Sequence, residues 1–141
     1  MAEPALFAGP PSPLGPGYPS VSASSTQNVT FTSVGYGLQE SFPDAASWKE
    51  NNQRVRMLAH PRLIPINGGL VGEFLLLLSN NASTGGTCFG DSGGTNFIDN
   101  TNVIAGVTSF GTNGNCAGTG GVYRVDGADD LDWLATFGVT P

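Results

Sequence analysis

Gly85-Gly86-Thr87-Cys88-Phe89-Gly90-Asp91-Ser92-Gly93-Gly94 is the stretch on which the reading of this chain turns. A serine that attacks a carbonyl needs the substrate backbone to come close, and two N–H donors near the oxygen that becomes negative. Glycines on both sides of Ser92 leave room for that approach. A Gly-Ser turn also has a simpler explanation, a surface loop whose serine bonds its own backbone. The flanking sequence decides between the two.

Upstream, Asn28-Val29-Thr30-Phe31-Thr32-Ser33-Val34 alternates apolar and polar residues, as a strand with one buried face does, and Gly35-Tyr36-Gly37 punctuates it. A second strand pattern runs from Arg54 to Ile64, limited by Pro61 and Pro65, and a third from Glu73 to Ser79. The longest apolar run, Phe74-Leu75-Leu76-Leu77-Leu78, is far too short to cross a bilayer and reads as a buried strand. Downstream, short apolar segments stand at Phe97-Ile98, Val103 to Phe110 and Val122 to Val125. Near the end, Asp126 can cap a helix, Asp129 and Asp130 suit its positive N-terminus, Leu131, Leu134 and Ala135 share a face, and Gly138 stops it. The expected architecture is all-β, a six-stranded antiparallel barrel with a short C-terminal helix docked outside.

Residues 1–27 hold six of the ten prolines without periodicity, so they are expected to be extended or disordered, and residues 28–141 to form the folded unit. With 141 residues and 39% apolar composition, one domain with one core is expected. A formal charge of -6, with only 5 Lys and Arg, leaves no basic patch for phosphates, which excludes nucleic acid and an anionic membrane surface as main partners. No basic region followed by an apolar stretch opens the chain, so no secretory signal is expected in it. Cys88 and Cys116 lack the spacing of a zinc site, and no metal is expected; one bridge or two free thiols remain open.

Cys88-Phe89-Gly90-Asp91-Ser92-Gly93-Gly94, Val107-Thr108-Ser109-Phe110-Gly111, Cys116 and Gly121-Val122-Tyr123-Arg124-Val125 together resemble successive landmarks of the chymotrypsin/trypsin-like serine proteases. Val34-Gly35-Tyr36-Gly37 resembles the strand that opens the second barrel of that family, so the likeness covers the C-terminal lobe, about residues 28 to 137. The resemblance implies that Ser92 attacks the scissile carbonyl while the N–H groups of Gly90 and Ser92 form the oxyanion hole. Asp91 would be the activation switch, pairing in the family with a new N-terminal ammonium after zymogen cleavage. Cys88 and Cys116 would form a disulfide tying the nucleophile loop to the wall of the specificity pocket. Ser109, Phe110 and Gly111 would pair with extended substrate, with Phe110 replacing the more usual Trp. Gly86 would lie at the pocket floor, Thr87 beside it, and Gly111 and Gly121 on its walls. Without a carboxylate at the floor, the preference implied is for apolar or aromatic side chains before the cleaved bond.

The family's catalytic His and Asp come from a first lobe that the likeness does not include. His60 lies in the second strand pattern and does not match the catalytic base, and no Asp matches the orienting acid. Two functions follow as expectations. One is a secreted serine endopeptidase whose N-terminal lobe is supplied in cis or in trans, acting on polypeptide substrate without a cofactor. The other is a half-protease that binds peptide without cleaving it.

Overall fold

A computed structural model describes residues 29–41, 50–51, 53–64 and 74–139. The expectation of a disordered segment over 1–27 lies outside the described residues. Seven strands form one antiparallel sheet: β1 (Phe31–Gly35), β4 (Met57–Ala59), β5 (Leu63–Ile64), β6 (Leu75–Asn80), β7 (Thr95–Ile98), β8 (Ile104–Gly111) and β9 (Gly118–Arg124). Their spatial order is β4-β1-β7-β8-β9-β6-β5, and β2 (Glu40–Ser41) pairs separately with β3 (Glu50–Asn51).

The count of seven corrects the expected six, and Pro61 is the reason. The single strand expected over Arg54–Ile64 is broken there, because proline has no N–H to give a ladder. Met57–Ala59 pairs with β1 and Leu63–Ile64 with β6. The residues between bond in both directions: Phe31 N–H donates to Pro61 O at 2.9 Å, Leu63 N–H to Val29 O at 2.8 Å, and Ser79 N–H to Arg62 O at 2.9 Å. One bent segment therefore joins the two ends of the sheet and curls it into a half-barrel.

Period-2 alternation places Val29 and Phe31, then Leu76 and Leu78, on the inner face, where Leu63, Ala105 and Val122 complete a small apolar core with Ile98 packed on it. The apolar run at Phe74–Leu78 is buried at Leu76 and Leu78 only; Phe74 is exposed, which corrects the expectation of a wholly buried strand. β9 begins at Gly118, earlier than its apolar residues indicate, because Gly118–Gly121 pairs with β6 on one side and, over Gly120 and Gly121, with β8 on the other.

The C-terminal helix α1 spans Ala128–Ala135, but its N-cap is Gly127, without a side-chain cap bond. Asp126 does not cap it. Its carboxylate is buried one residue before and takes two bonds from Arg124, from Nε at 2.8 Å and Nη2 at 2.7 Å. Burial pushes the Asp126 carboxyl above its ordinary value of 3.8, against the lowering pull of the Arg124 guanidinium. No residue of α1 is fully buried, so its docking on the barrel is shallow; Tyr123 OH donates to Asp130 at 3.2 Å. Gly138, at φ 78, does end the helix: its N–H bonds Ala135 O and that of Val139 bonds Leu134 O, a Schellman turn.

Candidate active site

The loop that carries Ser92 leaves β6 and returns as β7, and around Ser92 its shape is set by two left-handed glycines, Gly90 at φ 95 and Gly93 at φ 85. Between them, the Asp91 side chain turns inward while Ser92 is exposed. Each Asp91 carboxylate oxygen accepts one backbone N–H, Oδ1 from Gly37 at 2.7 Å and Oδ2 from Cys88 at 2.8 Å. Those bonds require the backbone after β1 to come unusually close. A Cβ on Gly35 would overlap Asp91 Oδ1, and one on Gly37 would meet it at 2.7 Å. Gly35-Tyr36-Gly37 is thus spaced to seat the Asp91 side chain.

Beyond Ser92 the loop hangs on β8. Gly93 N–H donates to Thr108 O at 3.0 Å, and Thr108 N–H to Gly94 O at 2.9 Å. The Cys88–Cys116 disulfide, with Cα atoms 5.2 Å apart, ties the loop to the turn between β8 and β9, and no cysteine is free. Among the described residues, the N–H groups of Gly90 and Ser92 make no bond within the chain.

Ser92 opens on a cavity of about 290 Å³ that Thr87, Ser109, Phe110, Gly111 and the disulfide also line. Seven of the residues singled out in the sequence, the two cysteines among them, therefore line one space. Gly121 is not on that lining. β8 bulges at Ser109, so Phe110 pairs with Gly121, and the Phe110 ring lies directly against the Gly121 Cα where a Cβ would stand. Gly86 lines instead a neighbouring cavity of about 340 Å³ on the Asp91 side, pressed against Asn80. Asn80, which the sequence reading passed over, donates from Nδ2 to Thr87 O at 2.7 Å and so fixes the wall between the two spaces. A third cavity, of about 460 Å³, lies against Gly90, Phe89 and Arg54.

His60 sits at the bend between β4 and β5, with Nδ1 3.3 Å from Thr32 Oγ1 and its backbone N–H donating to Thr84 O at 3.0 Å. It does not line the cavity that Ser92 opens on. The residues that the structure brings together can present a serine hydroxyl, free backbone N–H groups and a strand edge to an extended peptide.

The chain matches the family model described as Trypsin over residues 16–133. Among solved structures it is similar to a mutant of human heparin binding protein, with a TM-score of 0.62 and 17% identity, over 97% of this chain and 51% of that one. That likeness speaks for the fold, and the chain spans about half the length of that protein. No curated protein sequence matches. With the family model matched over most of its length, and a curled antiparallel sheet carrying Gly90-Asp91-Ser92-Gly93-Gly94 beside a disulfide, this chain belongs to the trypsin family.

Proposed function

We propose that residues 28–141 are the C-terminal lobe of a secreted serine endopeptidase, and that peptide-bond hydrolysis proceeds through an acyl-enzyme on Ser92. The observation that carries this is the placing of an exposed Ser92 hydroxyl on the cavity bounded by Ser109–Gly111. In the complete protein, a His from the N-terminal lobe, oriented by an Asp, takes the Ser92 proton as Oγ bonds the carbonyl carbon. The N–H groups of Gly90 and Ser92 hold the oxyanion. The C–N bond then breaks as the proton passes to the leaving amine, and water releases the acyl group by the same route. Asp91 keeps the loop in the shape this requires.

Among the described residues no carboxylate lines the cavity at Ser92, which favours an uncharged side chain before the cleaved bond, and apolar ones above others. The disulfide fits an oxidising, extracellular setting.

A fluorophosphonate, which reacts with serine only where a base activates it, tests the reading. Ser92 is expected to carry the adduct when the chain is joined to or mixed with a lobe bearing His and Asp, and Ser92→Ala to abolish it. An adduct at another serine, or cleavage of a peptide panel only after Lys or Arg, overturns the respective claim.

The bond between His60 and Thr32, on another part of the sheet, favours a second reading for this chain by itself, a lobe that binds peptide along Ser109–Gly111 and does not cleave it. Peptide binding by the chain alone, with no fluorophosphonate adduct under any pairing, would select that reading.

A further inference from the structure

Behind the nucleophile loop, the barrel interior holds a polar cluster where an apolar one would serve the core. Asn96, on β7 two residues after Gly94, is fully buried, and Ser33 on β1 and Thr108 on β8 are buried with it. A buried amide is tolerated only if its donors and acceptor are engaged. Here they are. Ser33 Oγ donates to Asn96 Oδ1, and Asn96 Nδ2 donates to Thr108 Oγ1 at 3.0 Å and reaches Gly94 O at 3.5 Å. No buried side-chain polar atom among the described residues lacks a partner.

Two of these partners also hold the loop. Thr108 accepts Gly93 N–H and donates its own N–H to Gly94 O, the carbonyl that Asn96 also reaches. Gly94 has little freedom to shift in response, since a Cβ there would stand 2.6 Å from Val34 O and 2.8 Å from Asp91 O. The planar, rigid amide of Asn96 therefore sets the spacing between β1 and β8 at the level from which Gly93, next to Ser92, is suspended. We infer that Asn96 is a positioning residue for Ser92, acting through Thr108 and Gly94 and held in turn by Ser33. This rests on the reading of Ser92 as the nucleophile only for its use in catalysis; the positioning itself is a property of the chain alone.

A cluster that merely fills the core would lower stability when broken and leave the loop as ordered as the rest of the barrel. Amide hydrogen exchange on the whole chain, without substrate, separates the two roles. In Asn96→Leu the Gly93 and Gly94 amides are expected to exchange about tenfold faster relative to those of the β6–β9 ladder, as befits loss of a buried hydrogen bond. The triple variant Ser33→Ala, Asn96→Leu, Thr108→Val removes all the polar groups together and is expected to recover the unfolding midpoint without recovering loop protection. Should Asn96→Leu fail to fold, Thr108→Val against Thr108→Ser gives the same answer: the hydroxyl-keeping variant is expected to retain loop protection and the other to lose it. Loop exchange that simply follows global stability, or protection fully restored in the triple variant, overturns the inference. Neither outcome bears on whether Ser92 reacts with a fluorophosphonate.

Discussion

The barrel and the loop that carries Ser92 are held by different forces. Phe31, Leu76 and Val122 are almost completely removed from water, and the barrel rests on their burial, which is non-directional and tolerant of small displacements. The loop from Gly85 to Gly94 contains no buried apolar side chain. It is fixed by the Asp91 carboxylate, by bonds from Gly93 and Gly94, and by one disulfide, all of which specify position. A core of this kind sets whether the chain folds; a loop of this kind sets where one hydroxyl stands.

The contrast is broken most severely from the barrel side. Phe31→Ala is expected to cost about 3–5 kcal/mol, the usual penalty for emptying an aromatic site in a core, read as a fall in the urea midpoint. A loss well below that would mean that the barrel is not the stabilising unit. Replacing Cys88 and Cys116 together by Ser opens a link across 28 residues and should cost about 3 kcal/mol in chemical denaturation. Asp91→Ala strips two backbone N–H groups of a charged acceptor, for about 2 kcal/mol. In nuclear magnetic resonance spectra its shifts should cluster at Gly37 and Cys88 and spare the β6–β9 ladder; shifts spread through the barrel would erase the distinction drawn here.

The smallest effect concerns the Arg124–Asp126 ion pair. The folded state holds the Asp126 carboxyl above its ordinary 3.8 through burial. The stability this group contributes is therefore complete below that ordinary value and is lost as pH rises through the raised one. Asp126→Asn should flatten the difference in stability between pH 3.8 and neutrality, measured by denaturation across that range. An unchanged slope would assign it to other carboxylates.

Much of this was legible in the sequence because alternation is local. Val29 and Phe31 declared an inward face, and β1, β6, β7 and β8 lie where their apolar residues stand. The Cys88–Cys116 bridge followed from the family resemblance. What escaped depends on which partner a side chain finds, or on contacts between distant segments. Asp126 has the chemistry of a helix cap, but Arg124, two residues earlier, claims its carboxylate instead. The bulge at Ser109 that sends Phe110 onto Gly121 has no local signature, since it arises from the register of β8 against β9. Asn96 did leave a trace: at period 2 it shares the face of Ile98, an interior position given to an amide.

The bend at Pro61 has a consequence for the edges of the sheet. Open sheets end in rows of unpaired N–H and C=O groups that recruit other chains into fibrils and aggregates. Here the terminal strands are only three and two residues long, are joined by a proline-containing corner, and are stitched to β1 and β6. Among the described residues, the template left for an intruding strand is correspondingly short, because the corner at Pro61 commits to β1 and β6 the backbone groups that an edge would otherwise offer.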